Sequence, residues 1–242
     1  MSLLLALLLA PPAPIACLER HYGATAVEKD GAHFARLPDG TLLPLDDGRK
    51  KSFDDKLDAP DVEDVFSIPY RPGPIRPVTT PDDDPGRIRI PRLFEVAYPP
   101  GGLVRIDFLG QKLTVHRKVA PAFARVAARL GRALRADPGL GPFLEHLGGT
   151  YNPRKIAGTD RPSAHSYGIS IDINVARSHY WRSRARGTPI LWRNQIPQAI
   201  VDAFEAEGFI WGGRWYHYDT MHFEYRPELL DPACLPHARP VP

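Results

Sequence analysis

The segment Ile169–Ile173, I-S-I-D-I, constrains the fold of this chain more than any other. Its apolar and polar residues alternate, and a strand turns successive side chains to opposite faces. Ile169, Ile171 and Ile173 therefore share a core face, while Ser170, Asp172 and Asn174 share the other. His165 precedes this strand across Tyr167 and Gly168, where glycine permits a tight bend or a close backbone approach. His165 and Asp172 can thus converge on one point. Fifty residues on, H-F-E-Y (His222–Tyr225) repeats the pattern, with His222 and Glu224 on one face and Phe223 and Tyr225 on the other. If the two strands are neighbours, His165, Asp172 and His222 form a two-histidine, one-carboxylate set. That is a common ligand set for catalytic zinc, with a fourth position left for water. Asp219, three residues before His222, is placed to receive a proton from that water. Plainer readings stand beside this one: a histidine at the surface, or an aspartate capping a turn or paired with an arginine. Nine histidines make accidental spacing easy.

The same residues resemble a known family. S-A-H-S-Y-G-I-S-I-D, Ser163 to Asp172, is similar to the S-x-H-x-x-G-x-A-x-D signature of the zinc D-alanyl-D-alanine carboxypeptidases and their L-alanyl-D-glutamate endopeptidase relatives. D-T-M-H, Asp219 to His222, looks like that family's second signature, an acid three residues before the last zinc ligand. The resemblance covers roughly Arg87 to Leu230. It implies that His165, Asp172 and His222 bind zinc and that Asp219 is the catalytic base. Y-N-P-R-K-I-A-G-T, Tyr151 to Thr159, resembles the family segment that contributes an arginine to the substrate side. Arg154 is the best match there, with a fork of donors suited to a carbonyl or carboxylate. Arg161, closer in sequence to His165, is the competing candidate. Ser163 and Tyr167 flank the first ligand and are expected to contact substrate. Two positions depart from the pattern: Ser170 replaces the usual alanine, and Asp219 stands where many carboxypeptidase members carry glutamate. His217 and Glu224 match no ligand position, and Glu224 is expected to be structural.

Around these motifs, Leu103 to Val115 alternates enough for two strands about Gly110. Val119, Phe123, Val126, Leu130 and Leu134 fall at helical spacing, with Pro121 near the helix start. A second helix fits Ile196 to Glu207, with Gly208 as its stop. His33 to Pro44 holds a P-D-G turn between apolar flanks and reads as a hairpin. Acids and prolines crowd Leu45 to Gly86, which reads as an extended arm outside the core. The expected fold is α+β: a small antiparallel sheet carrying the zinc site, packed against helices, with a proline-rich N-terminal arm. The expected division is a signal peptide over 1–16, the hairpin and arm over 17–86, and the zinc peptidase domain over 87–242.

Leu3 to Ala10 is an apolar run too short to span a bilayer but suitable as the core of a signal peptide, with cleavage after Ala16. The run lacks a basic flank, and Pro14 would occupy the −3 position. Export to the bacterial periplasm or cell envelope follows as the expectation, with no stable membrane span once the signal is removed. Cys17 and Cys234 then read as a disulfide tying the two ends; the competing reading makes Cys17 a lipidated residue. The net charge of +3 is too small to imply a nucleic-acid partner, although one helix carries Arg125, Arg129, Arg132 and Arg135. Three functions compete: a zinc peptidase acting on peptidoglycan stem peptides, a non-catalytic zinc-containing binding module of the kind hedgehog signalling domains resemble, and an anionic-polymer binder. The presence of both the ligands and the acid favours the first. The bond cleaved and the oligomeric state are not legible in the sequence.

Overall fold

A computed structural model describes residues 10–185 and 187–234 of the chain. The apolar run before Ala10 lies outside these residues. Helix α1 (Ala13–Tyr22) opens with proline in its first turn and closes on Gly23 in the left-handed conformation. The helix runs through Ala16 and Cys17, and its Ile15, Leu18 and Tyr22 are buried. Cys17 is disulfide-bonded to Cys234, 217 residues away. An ion pair between Arg20 and Asp231 at 2.6 Å fastens the same two segments.

Three strands follow, β1 (Thr25–Lys29), β2 (Ala32–Arg36) and β3 (Leu42–Pro44), in an antiparallel sheet of order β1-β2-β3. The P-D-G turn at 38–40 joins β2 to β3 as its sequence predicts, and β1 extends the hairpin to three strands. The acid-rich stretch beyond it is not an extended arm. It folds into helices α2 (Phe53–Asp58) and α3 (Val62–Phe66), each opened by a reciprocal capping box, Ser52 with Asp55 and Asp61 with Asp64. Three of the clustered acids, Asp55, Asp61 and Asp64, take part in the caps, where the exposed N–H groups of a first turn need acceptors. Lys51 then pairs with two of these and with Asp47, its Nζ lying 2.9, 2.7 and 2.7 Å from Asp47, Asp61 and Asp64. From 67 to 90 the chain has no regular element, but it is pinned down: the Tyr70 hydroxyl accepts the backbone N–H of Trp211 at 2.8 Å, and Ile88 is buried.

Helix α4 (Pro91–Ala97) leads to the hairpin of β4 (Leu103–Phe108) and β5 (Gln111–His116), which turns at Leu109-Gly110. Helix α5 (Ala120–Ala136) and the short α6 (Gly141–Leu144) follow. A four-stranded antiparallel sheet completes the fold: β6 (Leu147–Gly149), β7 (Ser170–Asn174), β8 (Phe209–Trp211) and β9 (His222–Tyr225), in the order β6-β7-β9-β8. Helix α7 (Gln198–Glu205) lies between β7 and β8 in the chain.

Period-two alternation fixes the two faces of this last sheet. Its apolar face carries Ile171 and, beside it in register, Phe223. Phe223 stacks on Phe204 of α7 at 4.0 Å between centroids, and Phe123 of α5 meets Phe209 edge-on at 4.9 Å. Burying each such ring contributes roughly 1.5–3 kcal/mol, so Phe204→Ala is expected to cost about 3–5 kcal/mol. Buried side chains ahead of residue 87, among them Ile15, Leu57, Val65 and Phe66, join the same contiguous apolar cluster as Ile171 and Phe204. No helix among the described residues is long and apolar enough to cross a membrane.

Candidate metal centre

The polar face of the sheet carries the site. His165 lies in a single 3₁₀ turn, Ala164–Tyr167, opened by the Ser163 hydroxyl and closed by Gly168 at φ 66°. Gly168 is required for two reasons. Its backbone is left-handed, and a Cβ there would meet the backbone N of His116 at 2.8 Å. The His116 N–H instead donates to the Gly168 carbonyl at 2.9 Å, which ties the β4–β5 hairpin to the turn that presents His165.

His165 Nδ1 donates to the carbonyl of Thr150 at 2.5 Å. A carbonyl only accepts, so Nδ1 holds the ring proton and Nε2 keeps a lone pair. That Nε2 is buried without a hydrogen-bond partner, 3.2 Å from Asp172 Oδ1 but outside hydrogen-bonding geometry. Asp172 and His222 are paired in register across β7 and β9. His222 Nδ1 lies 3.0 Å from the same Asp172 Oδ1, and its Nε2 lies 3.3 Å from Glu224 Oε2. One ligand atom from each of His165, Asp172 and His222 falls within 4.8 Å of the others.

Glu224 is fully buried and held in place by Arg89, whose Nε is 2.8 Å from Oε1 and whose Nη2 is 2.5 Å from Oε2. It fixes the outer nitrogen of His222, as carboxylates commonly do for metal-ligating histidines. Glu224 is thus the structural partner that its unmatched position predicts. Thr150 and Arg89 carry no motif, and only the folded arrangement shows their part.

The electrostatics follow from burial and close pairing. Burial opposes the charge on Asp172, yet its contacts with His165 and His222 hold the carboxyl well below its usual range. For His222, burial disfavours the imidazolium, but hydrogen bonds to Asp172 and Glu224 outweigh it and push the ring up to about 9. Asp219 behaves oppositely: burial pushes its carboxyl up to about 7, with the Asp172 charge adding to the rise and His222 and Arg154 opposing it. Its Oδ1 is buried without a partner.

His165, Asp172, Asp219 and His222 line one cleft of about 250 Å³. Arg154 lines it too, exposed and without an ion pair among the described residues. Arg161 also reaches the cleft but is paired with Asp58 at 2.8 Å, which leaves Arg154 as the less encumbered guanidinium. Ser163 borders the cleft. Tyr167, expected beside the substrate, does not: its ring is taken into the core against Phe94, with centroids 5.6 Å apart. The loop after β7 contributes Tyr180 and Trp181 to the walls, and Trp215 adds a third aromatic. Trp211 is instead core, its indole N–H donating to the Thr220 carbonyl at 2.9 Å. Leu57, from before the expected domain boundary, and Arg87, at that boundary, line the cleft as well.

The donor set fits a divalent metal. Two imidazoles and one carboxylate converge, one nitrogen lone pair is unsatisfied, and the opposite nitrogens are anchored by an acceptor each. Two other groups of ligand-type side chains are filled by the chain itself. In one, Cys234 is disulfide-bonded beside His21 and Asp231; in the other, Lys51 contacts two of the three carboxylates, Asp47 and Asp61.

Residues 157–225 match the family model of D-alanyl-D-alanine carboxypeptidase. The match contains both signatures, so the family resemblance read from His165, Asp172, Asp219 and His222 is supported over that segment. It begins three residues after Arg154 and leaves out Leu57, Arg87 and Arg89. No curated protein and no solved structure gives a significant match to the chain.

Proposed function

We propose that the protein is a zinc-dependent peptidase that hydrolyses peptide bonds next to D-amino acids in peptidoglycan stem peptides. The observation that carries this reading is the convergence of His165, Asp172 and His222 beside Asp219, whose Oδ1 is buried without a partner, within a segment matching a peptidase family. His165 Nε2, Asp172 and His222 Nδ1 would hold the zinc. When bound, zinc supplies Lewis acidity toward a peptide carbonyl and makes a water molecule acidic near neutral pH.

The chain's own groups do the rest. Asp219 takes the proton of the attacking water and returns it to the leaving amine, a role worth typically 10²–10⁴-fold in rate. A cation at the neighbouring ligands favours the ionised, proton-accepting form of Asp219. Arg154 offers its donors to the carbonyl oxygen as that oxygen gains charge. Glu224 and the Thr150 carbonyl keep the two histidine rings from turning. Export to the periplasm or cell envelope is part of the reading, supported by the disulfide between Cys17 and Cys234 and by the apolar N-terminal run.

Metal content and hydrolysis, measured together, test the assignment. Asp219→Ala is expected to keep its zinc and lose hydrolysis, whereas His165→Ala loses both. Hydrolysis retained in Asp219→Ala would remove the assigned base.

A further inference from the structure

His217 lines the cleft that holds the three ligands and Asp219, yet it belongs to neither signature. Its position is not left to the local chain. Nδ1 lies 2.6 Å from Asp84 Oδ2, and the backbone N–H of His217 donates to Asp84 Oδ1 at 2.9 Å. Asp84 is completely buried, and Arg87 donates to the same Oδ2 at 2.5 Å. Burial opposes its charge, but the bonds to His217 and the Arg87 guanidinium hold the carboxyl below its usual range. The His217 ring is further packed edge-on against Trp181 at 4.6 Å and against Tyr216 at 5.1 Å.

An ionised carboxylate only accepts, so Nδ1 is the donor, and in the Nδ1–H tautomer the ring's lone pair is at Nε2. Such over-determined placement is expensive for a residue that merely covers a surface. The cleft wall also carries four guanidiniums, Arg87, Arg89, Arg154 and Arg161, which only donate. In the Nδ1–H tautomer, Nε2 of His217 therefore adds an acceptor to a wall rich in guanidinium donors.

We infer that His217 is a substrate-contacting residue that accepts a hydrogen bond from an amide N–H of the bound peptide, and that Asp84 is the residue positioning it. The inference rests on the peptidase reading and deepens it. It also gives the N-terminal segment a part in the site: Asp84 lies outside the matched residues 157–225 and outside the domain boundary expected at residue 87. Without that segment, His217 loses the partner that fixes its tautomer.

The test uses the full-length, zinc-loaded Asp219→Asn protein, which is expected to bind a peptidoglycan stem peptide without cleaving it. Calorimetric titration with that peptide is compared with the same protein carrying His217→Ala or His217→Gln. The alanine variant is expected to bind about five- to tenfold more weakly, in line with loss of one hydrogen bond, with zinc stoichiometry unchanged. The glutamine variant, which retains a carbonyl acceptor, is expected to recover part of that loss. Nitrogen-15 NMR of the histidine rings reads the positioning directly: His217 is expected as the Nδ1–H tautomer, converting to a tautomer mixture in Asp84→Ala. Unchanged peptide affinity in His217→Ala overturns the inference alone. A parent protein that binds no stem peptide overturns the peptidase reading and the inference with it. A His217 ring protonated at Nε2 overturns the role of Asp84.

Discussion

Asp172 Oδ1 lies 3.0 Å from His222 Nδ1 and 3.2 Å from His165 Nε2, so a single carboxylate oxygen sits between two histidine nitrogens from different elements. The antiparallel pairing of Asp172 with His222 creates the first contact, and the Gly168 turn creates the second. The predictions below follow from that arrangement and from the network that supports it.

Glu224 holds the outer nitrogen of His222, so Glu224→Ala is expected to lower metal affinity by about 10–100-fold. Arg89 would lose its partner in that variant and Arg226 one of its two carboxylates, so the more conservative Glu224→Gln serves as the companion. Its amide oxygen still accepts from the ring, and its loss is expected to be smaller. Competition against a chelator of known affinity, on protein verified as folded by circular dichroism, measures both.

Asp219 gives a stability signature opposite to that of most active-site losses. Its folded carboxyl is pushed up to about 7 from an ordinary value of 3.8. The protonated form is therefore favoured by folding, and its contribution is fully present below about pH 4 and lost as pH rises through about 7. In metal-free protein, Asp219→Asn is expected to match the parent near pH 4 and to melt a few degrees higher at pH 8. Bound metal is expected to remove that advantage, because a neighbouring cation favours the carboxylate. Melting curves at the two pH values, with and without chelator, check the sign.

Lys51 is the keystone of the capped helices. Its side chain is 2% exposed and contacts three carboxylates. Lys51→Ala leaves those carboxylates together without their cation, and breaking a buried ion pair from one side costs about 3–5 kcal/mol. Urea unfolding is expected to show a lower midpoint with an unchanged slope.

The local geometry of the site was legible in the sequence, and its assembly was not. Alternation in I-S-I-D-I and H-F-E-Y assigns Asp172 and His222 to polar faces, since strand periodicity depends on the backbone alone. The register that places the two residues opposite each other depends on how β7 and β9 pair, which neither segment encodes by itself. Residues 45–66 illustrate a signal hidden by composition. The spacing of Ser52 with Asp55 and of Asp61 with Asp64 marks two helix starts, while the density of acids and prolines suggests an irregular arm. Tyr167 illustrates the converse. Its position beside His165 implies the cleft, but a single 3₁₀ turn rotates neighbouring residues apart and sends its ring to Phe94. Thr150 reaches His165, and Arg89 reaches Glu224, only through tertiary contacts, and a backbone carbonyl leaves no mark on the sequence at all.

The most direct test of the account is mass spectrometry of purified muropeptides digested with the protein as prepared, after chelation, and after zinc is restored. The account predicts a defined stem-peptide cleavage next to a D-amino acid that disappears with chelator and returns with zinc, and that is absent in Asp219→Ala. Cleavage that persists after the metal is removed, or no cleavage of any stem peptide by the zinc-loaded protein, would contradict it.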